Sequence, residues 1–129
     1  MRKIFLVLLI CVICMTAFVA HITHKIFWNH NVAIKVNETE NSYRIYAAYD
    51  KNRTEDIQNY IDAKLKSNHI FRNAKIDADI ILDDHTDIYV KCSPGRLLIK
   101  LDKNKNDLEA YARIKSLGEG IKQKLAQNE

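Results

Sequence analysis

The chain has 129 residues, 47% of them hydrophobic and 28% charged, and carries a formal net charge of +4 at pH 7. Its three glycines, one proline and three cysteines exclude collagen-like, low-complexity and disulfide-rich classes of protein. Arg2, Lys3 and Lys25 precede every acidic residue, so the chain from Asn31 onwards holds 17 Lys or Arg against 16 Asp or Glu. The excess positive charge flanks an apolar segment and forms no basic stripe, which argues against a nucleic-acid partner.

The first element in the chain is an apolar segment, residues 4–20, that contains no charged side chain. Arg2 and Lys3 precede it, and this layout is typical of a secretory signal peptide or an uncleaved signal anchor. Signal peptidase requires small residues at the last and third-last positions before the cleavage site. If cleavage followed Ala20, the large residue Phe18 would occupy the third-last position. We therefore favour an anchor, and a cleaved signal peptide stays as the alternative.

This segment predicts how the chain is organised relative to a membrane. Residues 1–25 form the signal anchor or signal peptide, with residues 4–22 in the membrane, and residues 26–31 form a linker. The basic start places the N-terminus in the cytoplasm and exports residues 32–129 to the periplasm or the cell exterior. The sequence thus predicts a single-pass membrane protein with one exported domain of about a hundred residues.

The exported part begins with two strands and a helix. Apolar and polar residues alternate in both strands, which predicts an antiparallel hairpin. The inward residues are Val32, Ile34 and Val36 in the first strand and Tyr43, Ile45, Ala47 and Tyr49 in the second. Thr54 precedes Glu55 and Asp56, so we expect it to cap an amphipathic helix that ends near Asn68.

Three further strands follow, joined by two turns. Their inward residues are Ile76, Ala78, Ile80 and Leu82, then Ile88, Val90 and Cys92, then Leu97, Ile99 and Leu101. We expect Leu82 to face Ile88 across residues 83–87, and Val90 to face Ile99 across a turn at Pro94 and Gly95.

A second amphipathic helix ends the chain. Asn106 with Glu109 three residues later matches a capping box, while Gly118 and Gly120 weaken the helix. Its apolar stripe is formed by Ala110, Ile114, Leu117, Ile121 and Leu125. The order ββαβββα after one N-terminal transmembrane or signal helix predicts an α+β two-layer sandwich, an antiparallel sheet with both helices on one face.

No residue pattern points to catalysis. The acidic residues from Asp77 to Asp87, with His85 among them, fit an outward strand face and a turn, and lack the spacing of a calcium loop. Cys92 falls on the inward face, where a thiol is a small apolar side chain. The motifs GxSxG and HExxH are absent from the sequence. We therefore expect no enzyme activity, no metal and no cofactor.

The sheet face that the helices leave uncovered is the candidate binding site. Its predicted residues are Tyr46, Ile81, Tyr89, Lys91 and Leu98. Across the strands, we expect Ile81 opposite Tyr89. Lys91 should have Leu98 opposite it on one side and Asp79 on the other. We expect Lys91, Lys100 and Asp79 to form a charged rim around the apolar residues. An apolar centre with a charged rim is typical of protein interfaces, and ordinary cross-strand packing on a solvated sheet is the alternative. The function predicted is a membrane-tethered envelope module that binds another protein or self-associates, and the alternative is a small envelope hydrolase with a site built from loops.

Overall fold

The structure, a computed structural model, describes residues 32–72 and 75–127. The predicted anchor, its membrane segment 4–22 and the linker at residues 26–31 lie outside the described residues. Within the described ranges, no helix is both long enough and apolar enough to cross a membrane.

The described residues form an antiparallel sheet of five strands and two α-helices. The elements are β1 (Ala33–Glu38), β2 (Ser42–Ala48), a 3-10 turn (Lys51–Arg53), α1 (Thr54–Leu65), β3 (Ile76–Ile81), β4 (Asp87–Ser93), β5 (Arg96–Asp102) and α2 (Leu108–Ala126). The order across the sheet is β1-β2-β5-β4-β3. The predicted α+β class and the order of strands and helices are confirmed.

The sheet separates its side chains into two faces by strict alternation. The core combines inward residues of β2, β4 and β5 with the apolar stripes of both helices, so both helices pack on the same face. Inward residues of the central strands are buried, as Ile45, Val90 and Ile99 show with 0% exposure. The edge strands are less covered, and Val36 in β1 keeps 41% of its surface exposed.

The β4–β5 hairpin has the predicted register. Val90 pairs with Ile99, and the pairing continues to Ser93 opposite Arg96. Gly95 has φ +76, the value that the third position of a type II turn requires. A Cβ at Gly95 would also lie 2.8 Å from the carbonyl oxygen of Tyr49, so both backbone conformation and space favour glycine here.

The predicted β3–β4 register is wrong by two residues. Leu82 was expected opposite Ile88, but Ile80 takes that position and Ile81 pairs with Asp87. The backbone N–H of Leu82 donates to Thr86 O, and His85 adopts φ 66, which makes a tight three-residue loop with its last residue left-handed. A shift of two residues keeps every side chain on its own face, so the apolar pattern alone cannot distinguish the two registers.

Neither predicted helix cap is observed: the N-terminus of α1 has no side-chain cap, and a neighbouring residue caps α2. Thr54 is the first residue of α1, and its hydroxyl accepts the backbone N–H of Gly95 at 2.9 Å instead of capping the helix. Asp107 caps α2 by accepting the N–H of Ala110 at 2.7 Å. Asn106 accepts the N–H of Asp87 at 2.8 Å, so its amide joins the start of β4 to the loop before α2.

The two glycines in α2 allow close packing. A Cβ on Gly118 would lie 3.0 Å from side-chain atoms of both Ile45 and Tyr43, which are buried in β2. A Cβ on Gly120 would overlap the hydroxyl oxygen of Tyr60 in α1. The glycines lower helix propensity, but they let α2 approach the sheet and α1 closely.

Candidate functional site

The candidate site is the open face, the side of the sheet opposite the helices. Its central side chains come from all five strands: Lys35, Arg44, Tyr46, Asp77, Asp79, Tyr89, Lys91, Arg96, Leu98 and Lys100. Neither α-helix covers them, because the apolar stripes of both helices pack against the inward residues. Within residues 32–72 and 75–127, the outward side chains of the three central strands are therefore covered by neither helix.

An apolar centre lies where three of the predicted site residues meet. Tyr46 pairs with Leu98, and Leu98 pairs with Lys91 on the next strand. Tyr46 keeps 41% of its surface exposed, and Leu98 is half-buried. Tyr89 lies one outward position along β4 from Lys91 and is also half-buried. The structure thus brings Tyr46, Leu98, Lys91 and Tyr89 together as neighbours.

Asp77 fixes two of these residues in place. The Tyr89 hydroxyl donates to Asp77 Oδ1 at 2.6 Å, and Lys91 Nζ lies 3.2 Å from Asp77 Oδ2. The hydrogen bonds from Tyr89 and Lys91 lower the pKa of Asp77, and the hydrogen bond to Asp77 raises the pKa of Tyr89. The network depends on the observed register, in which Asp77 pairs with Lys91 in place of the predicted Asp79.

Ile81 does not belong to the apolar centre. It was predicted opposite Tyr89, but it pairs with Asp87 at the far end of the edge strand β3. It is 69% exposed, and Asp79 takes the position opposite Tyr89. The two-residue shift of the β3–β4 register moves Ile81 away from the other four predicted residues.

Arg44 and Lys100 complete the site. Lys100 was expected in its charged rim, whereas Arg44 was not predicted as part of it. The two residues are direct cross-strand partners on β2 and β5. They line a shallow depression of about 380 Å³ together with Asp79, Tyr89 and Leu98. Their outward positions followed from the alternation, but their pairing required knowledge that β2 and β5 are neighbours.

The acidic residues considered for metal binding are dispersed. Asp84 accepts the backbone N–H of Thr86 at 3.0 Å and pairs with Arg113 at 3.0 Å, so it stabilises the β3–β4 turn. Asp77 and Asp79 lie on the open face. In the part of the chain that the structure describes, no group of three or more His, Cys, Asp or Glu could hold a metal ion.

Cys92 lies inside the core, as predicted, with 2% of its surface exposed. Burial raises the pKa of the Cys92 thiol, and the amide nitrogen of Gln58 lies 3.4 Å from its sulfur. A nucleophilic cysteine needs a lowered pKa and access to a substrate. Burial of Cys92 instead raises the thiol pKa and shields the sulfur from a substrate.

A polar cluster on the helix side joins the end of β1 to α2. The carboxylate of Glu38 accepts hydrogen bonds from Lys103 at 2.8 Å and from the Tyr111 hydroxyl. These hydrogen bonds lower the pKa of Glu38. Lys103 also lies 4.6 Å from the centre of the Tyr111 ring. Glu38, Lys103 and Tyr111 all contact one another, so we assign the cluster a structural role.

Comparison of the chain with protein-family models, with curated proteins and with solved structures gives no match. The chemistry of the open face is therefore the basis for inferring a function.

Proposed function

We propose that this protein is a membrane-tethered envelope module that binds another protein through the open face and performs no catalysis. The observation that supports the proposal is the apolar centre formed by Tyr46, Leu98 and Tyr89 on a sheet face that neither helix covers. Aromatic side chains surrounded by charged ones are typical of the centre and rim of protein interfaces.

The open face is also partly ordered before a partner arrives. Asp77 holds the Tyr89 hydroxyl and the Lys91 ammonium group, and Tyr89 sits on a strand between two paired neighbours. A side chain that is already restrained loses less conformational entropy when it is buried by a partner. Such restraint would lower the entropic cost of binding at Tyr89 and Lys91.

The tether in this proposal is the apolar segment at residues 4–22, which would hold the exported domain, residues 32–129, at the membrane surface. The basic residues Arg2 and Lys3 support a cytoplasmic N-terminus.

Topology is tested by adding a protease outside spheroplasts that carry the full chain with an N-terminal epitope. We expect digestion of residues 32–129 and survival of a short membrane-bound fragment that keeps the epitope. The same protease added after detergent lysis provides the control for accessibility. A full-length band that resists protease in intact spheroplasts would contradict the proposed topology.

The docking surface is tested by photo-crosslinking in cells. A photoreactive phenylalanine derivative replaces Tyr46 in the full chain, and the same derivative at Ser116, exposed on α2, serves as the matched position. We expect a crosslinked protein product from position 46 alone. Adding Tyr89→Ala or Leu98→Asp should remove that product while thermal unfolding changes little, because none of these side chains is in the core.

Leu108→Asp is the matched control for Leu98→Asp, since Leu108 is 80% exposed at the start of α2, away from the open face. It should leave the crosslink intact. A crosslink that persists in both open-face variants, or variants that unfold the domain, would show that this face is not the docking surface.

A further inference from the structure

The open face carries positive charge that the described residues leave without compensation. Arg44 and Lys100 pair directly across β2 and β5, an arrangement of like charges that destabilises a sheet. Neither side chain forms a hydrogen bond or ion pair within residues 32–72 and 75–127. Lys35 and Arg96, on the same face, also lack such contacts in those ranges.

Three cations on the helix side, in contrast, form ion pairs with carboxylates. Arg113 pairs with Asp84 at 3.0 Å, Lys103 with Glu38 at 2.8 Å, and Lys124 with Asp56 at 3.1 Å. Basic and acidic residues are almost equal in number from Asn31 onwards. Carboxylates are therefore numerous enough, yet within the described ranges none forms an ion pair with Arg44 or Lys100, although Asp79 lines the same depression.

The surroundings of this cationic pair define what could bind there. The depression next to the pair is lined by Leu98 and Tyr89, and Asp79 is its single carboxylate. Tyr46 adjoins Leu98 on β2. A ligand that fits must bring negative charge to Arg44 and Lys100 and an apolar group to the neighbouring rings.

We infer that Arg44 and Lys100 bind carboxylate side chains on a segment of the partner protein. In this segment, acidic residues alternate with aromatic or aliphatic ones. This inference rests on the proposed docking function and names the chemistry of its partner. Arginine forms two parallel hydrogen bonds to one carboxylate, and the ammonium group of Lys100 adds a second positive charge. The apolar residues of the segment would cover Leu98, Tyr46 and the ring of Tyr89.

Other occupants fit the charges less well. Asp77 and Asp79 border the face along β3 and would repel the phosphates of a nucleic acid or an anionic membrane. Two copies stacked with their cationic pairs in contact would repel each other. Pairing of two β3 edges would bring Asp77 and Asp79 of each copy together, which disfavours edge-to-edge association.

The test measures binding of synthetic peptides to the full chain in neutral detergent micelles by fluorescence anisotropy. The first probe is a labelled peptide of about eight residues, enough to cross the central strands, in which Glu alternates with Leu and Tyr. The second probe replaces each Glu by Gln, and the third is a labelled single-stranded oligothymidylate. The protein variants are Arg44→Gln/Lys100→Gln, Leu98→Asp, and the matched control Lys105→Gln/Lys122→Gln, which removes two exposed cations outside the open face.

The wild-type chain should bind the Glu peptide at least about tenfold more tightly than the Gln peptide, and the difference should shrink when salt is raised to about 0.5 M. Arg44→Gln/Lys100→Gln should remove this preference, while the lysine control keeps it. Removing a repulsive pair should also leave thermal stability equal or higher, which separates lost binding from lost folding.

The remaining outcomes separate the two proposals. Equal binding of both peptides, unaffected in Arg44→Gln/Lys100→Gln but lost in Leu98→Asp, would overturn the acidic partner and keep the docking face. Binding that no open-face variant changes would overturn both. Tighter binding of oligothymidylate that depends on Arg44 and Lys100 would replace the protein partner by a nucleic acid. Absence of Glu-peptide binding even at about millimolar concentration would also overturn the inference.

Discussion

Replacement of Ile99 by alanine should lower the free energy of unfolding by about 2 to 5 kcal/mol, the range measured when a buried isoleucine is truncated to alanine. Ile99 lies in β5, the middle strand of the sheet, and is 0% exposed. It pairs with Ile45 on one side and Val90 on the other, both also fully buried. The neighbours are held by strands on both sides, so they cannot collapse into the space that the lost methyl groups leave.

The effect is measured by denaturant unfolding of the full chain, with Ile81→Ala as the matched control because Ile81 is 69% exposed. The control should change the free energy of unfolding by less than about 0.5 kcal/mol. Ile80→Ala should fall between the two, because Ile80 is half-buried on the edge strand β3. A loss below about 0.5 kcal/mol for Ile99→Ala would show that the inward face is misassigned.

Replacement of Asp62 by alanine should lower the free energy of unfolding by about 2 to 6 kcal/mol, since it leaves two buried donors without an acceptor at about 1 to 3 kcal/mol each. Asp62 Oδ1 accepts hydrogen bonds from the Ser67 hydroxyl and, at 3.0 Å, from the backbone N–H of Phe71. All three residues are buried, and Phe71 is 0% exposed.

The loop that Asp62 holds has an unusual backbone. Lys66, Asn68 and His69 have φ values of 51, 56 and 66, a left-handed conformation that non-glycine residues seldom adopt. Because each such residue raises the free energy of the folded state, the loop depends on the bonds to Asp62 and on burial of the Phe71 ring.

Asp62→Asn is the matched control, since its amide oxygen can still accept from Phe71 and Ser67. It should lose less than half of the stability that Asp62→Ala loses. Denaturant unfolding gives both values, and amide hydrogen exchange at Phe71 should accelerate more in the alanine variant. Equal losses in the two variants would indicate that Asp62 contributes through packing alone.

The candidate site shows how far alternation carries a prediction. Alternation placed Tyr46, Tyr89, Lys91 and Leu98 on one face, and the β4–β5 turn with its glycine set the pairing of Leu98 with Lys91. It could not place Ile81, because registers that differ by two residues present the same residues to the core. The β3–β4 register was decided by the loop, in which His85 adopts a left-handed backbone. A glycine at that position would have indicated this conformation in the sequence, but the residue is a histidine.

The sequence by itself determined the α+β class, the order of strands and helices and the division of side chains into inward and outward sets, because each of these follows from local periodicity. The sequence also indicated which consecutive strands pair as hairpins, but the tertiary structure alone decided that β2 lies beside β5. Placing β2 beside β5 brings Arg44 against Lys100 and Tyr46 against Leu98, although more than fifty residues separate the partners in the chain. Such contacts depend on how the helices close over the sheet, a property of the whole fold that no local pattern contains.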